Sequence, residues 1–304
     1  MASSRTLLGI PLCLAATLLA GCTGTTLEAS SGTPSVGAPV AAPPAAAPSV
    51  PAAGPPASAR GRRAVAVYYL ADTGATGPRL YREFHLRPAT SAVVRDAVDA
   101  MLHEAPYDAS YVSLWPRDTK VLGVTITGGL ATVNLSRQAL GGSAGSTFEV
   151  ASLQQLGWTV TGAAPAVTSV QVLIEGRSSG IIGGREIADF WGAGGLATQP
   201  LRRAPQFEVL GPVWVLSPTP GAVVGPDVTI AGTESVFEGT VNWEVRAGTT
   251  VVRHGFVTGV GAPGRGTWSA HVRLAPGSYV VRAWEASAKD GSVTFLDDKA
   301  FRVR

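Results

Sequence analysis

A glycine-rich loop places a serine in a pattern that some hydrolases use for their nucleophile. Residues 141–145 read Gly-Gly-Ser-Ala-Gly, so Ser143 occupies the centre of a G-x-S-x-G string. In those hydrolases the string forms a tight turn that joins a strand directly to a helix and exposes the serine hydroxyl. Here the preceding strand pattern ends near Leu135, six or more residues before the loop. We therefore interpret the loop as a flexible connection and predict no catalytic residue, keeping a cell-wall hydrolase or esterase as the alternative function.

The histidines and the other glycine-rich segment give no sign of a metal or cofactor site. No histidine has a partner four residues away, and none has a cysteine or carboxylate at the spacing of a zinc ligand set; they are His85, His103, His254 and His271. Residues 261–266 are rich in glycine but precede a strand pattern and lack the Lys-Ser/Thr pair of a phosphate loop. The sequence therefore predicts no metal and no cofactor.

The charge balance argues against nucleic acid as a partner. The 304 residues include 24 Lys and Arg and 21 Asp and Glu, which gives a formal net charge of +3 at pH 7. Such a small excess creates too weak a field to attract a phosphate backbone. The 37 glycines and 22 prolines also exclude a coiled coil.

The first 22 residues predict export and lipidation. Arg5 precedes an apolar run at 7–20, which is too short to cross about 30 Å of hydrocarbon but is typical of a signal-peptide core. The run ends in LAGC at 19–22, which resembles the bacterial lipobox. That resemblance implies cleavage before Cys22 and attachment of a diacylglycerol and palmitate there, on the extracytoplasmic face of the cell membrane. The alternative is a secreted protein cleaved near the same small residues.

The rest of the chain divides by composition. Residues 31–59 contain eight prolines and no charged residue, so they can form neither a helix nor a core and are predicted to be a tether. The mature chain contains no second cysteine that could pair with Cys22. We predict a signal peptide at 1–21, a lipidated N-terminus and tether at 22–63, an α+β domain at 64–200, a linker at 201–212 and a β-sandwich at 213–304.

The pattern from 64 to 176 alternates between strands and helices. Alternating apolar residues predict a strand at 65–69, and 80–86 is a less regular second strand. Thr90 is the predicted N-cap of a helix whose apolar face consists of Val93, Val94, Ala97, Val98, Met101 and Leu102. A capping box of Ser146 and Glu149 starts a second helix, and Val170, Val172 and Ile174 form a last strand. The order β(β)αββαβ predicts an α+β domain.

A two-residue turn predicts a hairpin between these helices. Gly128 and Gly129 form the turn, and counting outward from them predicts three pairs on one buried face: Ile126 with Ala131, Val124 with Val133, and Leu122 with Leu135. Thr125 and Thr132 then pair on the other, polar face.

The stretch 213–304 predicts an immunoglobulin-like sandwich. Seven short alternating runs are separated by Pro, Gly and Asp turns; they cover 213–216, 228–231, 241–245, 251–257, 268–274, 279–284 and 301–303. Trp243 occupies the place of the core tryptophan on the third strand, and Tyr279 that of a tyrosine corner at the start of the sixth.

The two domains resemble two families. The first resembles the GerMN domain of sporulation and spore-germination proteins through AVAVYYL, MLHEAP, WPRDTKVLGVTITGGLATVNLS and VTSVQVLIEG. The second resembles Gmad2, the immunoglobulin-like domain of bacterial spore germination, through VWVLSPTPGAVV, VTIAGTESVFEGTVNWEV, GAPGRGTWS and VRAWEASAKD. The resemblance implies a non-enzymatic envelope lipoprotein that binds or assembles with an envelope protein or peptidoglycan, and it supplies no catalytic residue.

Four charged residues lie in the stretches shared with Gmad2, on loops or strand ends of the sandwich. Because binding residues concentrate on loops of rigid scaffolds, Glu238, Arg265, Glu285 and Lys289 are the predicted contacts to a partner. Two alternatives remain open. The four could form an internal salt-bridge network that fixes the loops, or the protein could be a spacer that self-associates through its sheet edges.

Overall fold

The computed structural model describes residues 61–73, 77–141, 146–190 and 199–304. By its contacts the chain divides into Met1–Ala47 and Pro48–Arg304, and all described residues belong to the second unit. The predicted signal peptide, Cys22, most of the tether and Ser143 lie outside the described residues. No helix in the described ranges is long and apolar enough to cross a membrane.

The described part of the first domain contains two main helices and three small sheets, of which the smallest is the pair β6-β7. Its elements are β1 (Arg62–Asp72), β2 (Pro78–Pro88), α1 (Val93–His103), β3 (Val121–Thr127), β4 (Leu130–Leu135), α2 (Ser146–Ala163), β5 (Ser169–Ile174), β6 (Ile181–Ile182), β7 (Arg185–Glu186), α3 (Ile187–Phe190) and α4 (Gln206–Val209). β1 pairs with β2, and the second sheet has the order β3-β4-β5, with β4 and β5 parallel. The predicted α+β order is confirmed.

β1 is buried on both faces, which its alternating pattern did not predict. Tyr68 packs against Trp158 of α2, with ring centroids 5.5 Å apart. On the opposite face, the Tyr69 hydroxyl donates to the carbonyl oxygen of Glu104, just after α1. Because α2 packs on one face and α1 on the other, residues 65–71 are all buried.

The predicted cap of α1 is wrong by two residues. The helix follows Ala92, which makes no side-chain cap. Thr90 instead accepts a hydrogen bond from the Ala92 amide (3.1 Å) and donates one to Asp96 (2.6 Å). Thr90 therefore fixes the approach to the helix rather than its first turn.

The β3–β4 hairpin has the predicted turn and most of the predicted register. Ile126 pairs with Ala131 and Val124 with Val133, as predicted. The predicted burial of this face is wrong for Ile126, which is 50% exposed near the turn. The prediction for Leu122 is wrong, because an irregularity at this point places Val121 opposite Leu135. A single extra residue reverses the face to which a side chain points, so Leu122 is exposed while Val121 is buried.

The second domain is a sandwich of two sheets, which confirms the predicted fold class. Its strands are β8 (Val213–Ser217), β9 (Val223–Val224), β10 (Asp227–Glu234), β11 (Thr240–Ala247), β12 (Thr250–Thr258), β13 (Gly266–Arg273), β14 (Gly277–Ala286) and β15 (Val293–Val303). The sheets have the orders β13-β10-β8 and β12-β11-β14-β15-β9. All seven predicted strands are present, but β15 begins well before the predicted 301, and β9 pairs with it in parallel.

Two aromatic residues have the predicted places in this sandwich. Trp243 on β11 is buried in the core between the sheets. The Tyr279 hydroxyl donates to the Ala275 carbonyl at 2.9 Å, four residues upstream, which is a tyrosine corner.

The segment predicted as a linker is packed against the first domain. Leu201 pairs with Val170 of β5, and Leu210 forms a bridge with Leu80 of β2; both leucines are buried. Trp214, on the first strand of the sandwich, belongs to the hydrophobic core of the first domain. The two domains therefore share apolar contacts at their junction.

Candidate functional site: the loops of the sandwich and the domain junction

A buried carboxylate organises the loops that carry the predicted partner contacts. Glu234 ends β10 and is fully buried. Its Oε1 accepts hydrogen bonds from the amides of Val260 (2.7 Å) and Gly261 (3.1 Å), and its Oε2 accepts one from Val236 (3.2 Å). Three amide donors replace the water that this carboxylate loses on burial. Glu234 thereby holds the loop after β10 against the loop before β13.

Two glycines provide the space for this carboxylate. A Cβ at Gly259 or at Gly266 would overlap the Oε1 of Glu234. Glycine at these two positions is therefore a requirement of the buried Glu234. The sequence pattern only excluded a phosphate loop at 261–266, and it did not single out Glu234.

The two loops expose apolar side chains at their tips. Phe237 is 68% exposed on the first loop, and Val260 is 77% exposed on the second. The Phe237 amide donates to Glu285 Oε1 at 3.0 Å. We call Phe237, Glu238 and Val260 the loop tip.

Glu238 and Glu285 have different roles in this arrangement. Glu238 is exposed and has a left-handed backbone with φ of 56°. Glu285 is half-buried beneath the loop, and burial raises the pKa of its carboxyl although the Phe237 amide opposes the shift. Glu238 is therefore available to a partner, whereas Glu285 supports the loop.

Arg265 and Lys289 do not join the loop tip. Arg265 donates to the carbonyl oxygen of Gly211 (2.9 Å) and to the Thr233 hydroxyl (3.1 Å), and its guanidinium lies 4.7 Å from the ring centroid of Trp214. Burial lowers its pKa to about 10. Lys289 is exposed in the turn between β14 and β15. Arg265 therefore contacts the domain junction rather than a partner surface.

The internal salt-bridge network that was the alternative is not seen in the described part of the chain. No ion pair there joins any two of Glu238, Arg265, Glu285 and Lys289. The loops are fixed instead by carboxylates that accept backbone amides, Glu234 above all.

A buried lysine joins the two domains. Lys299 on β15 donates to Asp297 on the same strand (2.6 Å), and to Asp108 (2.5 Å) and the Tyr111 hydroxyl (2.8 Å) of the first domain. Asp297 also accepts from Tyr111 (2.8 Å) and from the Val215 amide (2.6 Å). We call Asp108, Tyr111, Asp297 and Lys299 the junction cluster.

The junction cluster is structural rather than reactive. Burial lowers the pKa of Lys299, but the charges and hydrogen bonds of Asp297 and Asp108 outweigh it, so its pKa lies above that of a free lysine. A protonated, fully engaged ammonium is neither a nucleophile nor a base. Burial has the opposite effect on Tyr111: it raises the pKa of the phenol, so the hydroxyl stays neutral and donates a hydrogen bond.

A strand pattern could have indicated half of this cluster. Asp297 and Lys299 lie on the buried face of β15, in line with Phe301 and Val303 at every second position. Charges at two positions of an apolar face point to a buried pair. Asp108 and Tyr111 lie in a loop whose sequence gives no comparable signal.

The prediction that no histidine has a partner four residues away is wrong for His103, whose Nδ1 lies 3.4 Å from Asp99. His85 also has two carboxylate neighbours. Its Nε2 lies 3.1 Å from Glu83 and its Nδ1 lies 2.6 Å from Glu104. Glu83 also accepts the amides of Tyr107 and Asp108, so it ties the loop of the junction cluster to β2. Among the described residues, no group of three or more His, Cys, Asp or Glu side chains could hold a metal ion.

Solved structures of GerMN domains and of a lipoprotein are similar to this chain at low identity. Tandem GerMN domains of the sporulation protein GerM from Bacillus subtilis are 18% identical, with a TM-score of 0.37, and the match covers 48% of this chain and 46% of that one. The first GerMN domain of the same protein is 20% identical over 42% of this chain and 95% of that one, with a TM-score of 0.31. A putative lipoprotein from Clostridium perfringens is 19% identical over 40% and 79%, with a TM-score of 0.27.

The family comparisons cover both domains. No curated protein matches the chain. This chain spans about half the length of the tandem GerM structure. Residues 66–180 match the Germane family, described as sporulation and spore germination. Residues 212–292 match Gmad2, described as the immunoglobulin-like domain of bacterial spore germination. The chain therefore contains one domain that matches the Germane family and one that matches the Gmad2 family.

Proposed function

We propose that this protein is a non-enzymatic envelope lipoprotein, anchored in the membrane through Cys22, that binds an envelope partner at the loop tip. The observation that carries the proposal is the exposure of Phe237 and Val260, at 68% and 77%, on loops fixed from beneath by Glu234. The N-terminal signal and lipobox support the anchor.

The loop tip combines the properties of a binding surface. Aromatic side chains at the centre of an interface supply much of its binding energy, and Phe237 projects from a loop of the sandwich in this way. Because the Glu234 and Glu285 hydrogen bonds already fix the loop, little conformational entropy is lost when a partner binds. Glu238 adds an exposed carboxylate beside the aromatic ring. The surface suits a protein or peptidoglycan partner with an apolar face and a donor beside it.

The non-enzymatic assignment rests on the buried titratable groups. The side chains of Lys299, Asp297 and Glu234 are hydrogen-bonded to other groups of the protein, so these three are not free acids or bases. The matched families are germination-associated domains, and neither description names a reaction. A serine-directed fluorophosphonate probe tests the hydrolase alternative directly: we expect Ser143 to remain unlabelled, and labelling would contradict the proposal.

A site-specific photo-crosslinker tests partner binding. A photoreactive phenylalanine analogue replaces Phe237 in the full chain, and intact cells are irradiated before the membrane fraction is separated by mass. Phe256 is the matched control, since it is 70% exposed on β12 at the edge of the larger sheet. We expect an adduct at position 237 and none at 256.

The size and sensitivity of the adduct identify the partner. A broad high-mass smear that a muramidase converts into a sharper, smaller product would indicate peptidoglycan. A discrete band that the muramidase leaves unchanged would indicate a protein. A homodimer formed at position 256 alone would support the self-associating spacer through the β12 edge and contradict our proposal. Absence of adducts at position 237 would also contradict it.

A further inference from the structure

A groove on the first domain is lined by arginines. It has a volume of about 780 Å³ and lies between β1, β2, the end of α2 and the segment that follows residue 200. Its charged lining residues are Arg63, Arg82, Arg202 and Arg203, and no aspartate or glutamate lines it. We call this feature the arginine groove.

The fold fixes the positions of these arginines. Arg82 on β2 lies opposite Tyr68 of β1, on the face that α2 covers. Gln154 of α2 donates to the Arg202 carbonyl (3.2 Å) and accepts from the Ala204 amide (2.9 Å). The backbone that carries Arg202 and Arg203 is therefore held along α2.

Small residues keep the floor of the groove open. A Cβ at Gly162 of α2 would lie 3.2 Å from the Tyr68 ring and 3.5 Å from the Cβ of Ala66. Glycine and alanine at these two positions leave room that larger side chains would fill.

Two of the guanidinium groups lie against aromatic rings. The guanidinium of Arg82 is 4.7 Å from the ring centroid of Phe84, and that of Arg203 is 4.2 Å from that of Trp158. An aromatic contact holds a guanidinium flat and leaves its N–H edge free to bind an oxyanion in bidentate fashion. Arg203 also donates from Nε to the Thr161 hydroxyl at 2.5 Å.

The positive charge of the groove has no protein counter-charge within the described ranges. None of the ion pairs there includes Arg63, Arg82, Arg202 or Arg203. The Nε atoms of Arg63 and Arg82 are buried and have no hydrogen-bond partner among the described residues. The C-terminal end of α2 supplies the equivalent of only about half a negative charge. Burial lowers the pKa of Arg203, as expected for a cation without a carboxylate partner.

We propose that the arginine groove binds the repeated oxyanions of an anionic polymer, carried as phosphate or carboxylate groups. Arginine forks match both groups, and four of them without a counter-charge favour a ligand with several anions over a single ion. The volume also exceeds what one phosphate fills. The tether of this chain does not fit, because residues 31–59 contain no acidic side chain.

A titration with defined polyanions tests this proposal. The full chain is purified in neutral detergent and titrated by calorimetry with inorganic polyphosphate and, separately, with polygalacturonate, which carries a carboxylate on each sugar. Neutral dextran is the ligand control. Arg82→Gln combined with Arg202→Gln removes two groove charges, and Arg302→Gln with Arg304→Gln removes two exposed charges from the end of the sandwich.

The outcomes separate the alternatives. We expect at least one polyanion to bind, dextran not to bind, and the groove variant to bind about ten-fold or more weakly, since hydrogen bonds to charged groups are strong. The control variant is expected to bind within about two-fold of the wild type because its charges are distant and screened. Polyphosphate binding alone assigns phosphate groups, and polygalacturonate binding alone assigns carboxylates. Equal losses in the two variants, or no binding of either polyanion, would overturn the proposal.

Discussion

Replacing Lys299 with methionine should destabilise the whole protein, because the Lys299 ammonium is the shared ion-pair partner of two buried carboxylates from different domains. Lys299 is 6% exposed, Asp108 5% and Asp297 3%. Both carboxylates contact the same Nζ atom, at 2.5 and 2.6 Å. Methionine occupies a similar volume, so the change removes the charge and three hydrogen bonds but little packing.

The magnitude follows from this geometry. Since both distances are measured to one atom, the two carboxylate oxygens are no more than about 5 Å apart. At an effective dielectric constant of about 20, two unit charges at about 5 Å repel by about 3 kcal/mol. Breaking a buried ion pair by removing one partner costs about 3–5 kcal/mol. We therefore expect Lys299→Met to lower the free energy of unfolding by about 3–5 kcal/mol at neutral pH.

Urea unfolding of the full chain measures this loss. Lys289→Met is the matched control, because Lys289 is an exposed lysine of the same domain and surface substitutions change stability by about 0.5 kcal/mol or less. Adding Asp297→Asn to Lys299→Met removes one of the facing charges and should restore part of the loss. Acid should also reduce the difference in unfolding free energy between Lys299→Met and the wild type, because protonation of Asp108 or Asp297 removes the repulsion between the two carboxylates. A loss no larger than that of Lys289→Met, or no recovery in the double variant, would refute the role of the junction cluster.

Three further predictions concern the anchor, the sandwich core and the acid response. Cys22→Ala should shift the protein from the membrane fraction to the medium or leave it as precursor; unchanged processing, with no acyl group found by mass spectrometry, would contradict the lipid anchor. Trp243→Ala should cost about 3–5 kcal/mol by cavity formation, read from urea midpoints, and an unchanged midpoint would contradict the core position of Trp243. Burial raises the pKa of Glu244, but hydrogen bonds from Arg246 and Arg282 outweigh it and hold the pKa below its ordinary value of 4.5. The ionised Glu244 therefore stabilises the fold fully above pH 4.5, and this stabilisation is lost as the pH falls further. Glu244→Gln should lower the melting temperature at neutral pH, and the melting temperature of the variant should decrease less than that of the wild type in acid.

Local patterns in the sequence were sufficient for the two folds. Alternation with a period of two specified seven of the eight described strands of the sandwich, since one buried face constrains every second residue; the two-residue β9 was missed. The glycine pair at 128–129 specified a hairpin because both residues have positive φ. The Leu122 register failed because a bulge is an extra residue that the turn does not encode.

Tertiary structure decided which charged residues act together. Glu238, Arg265, Glu285 and Lys289 lie in shared motif stretches, yet the fold places Arg265 at the junction, Glu285 beneath a loop and Lys289 in a turn. The sequence shows which side chains are neighbours along the chain. Which of them pair across the two domains depends on how the domains pack.

The buried groups of the junction show this limit most clearly. Lys299 reaches Asp108 from 191 residues away, and no local pattern relates the two. The four arginines of the groove likewise come from β1, β2 and the segment after residue 200. The sequence by itself determined the domain types and most strands, since these depend on periodic burial of neighbouring residues. Only the tertiary structure determined the junction cluster, the loop tip and the arginine groove, because each is assembled from side chains that become neighbours when the chain packs.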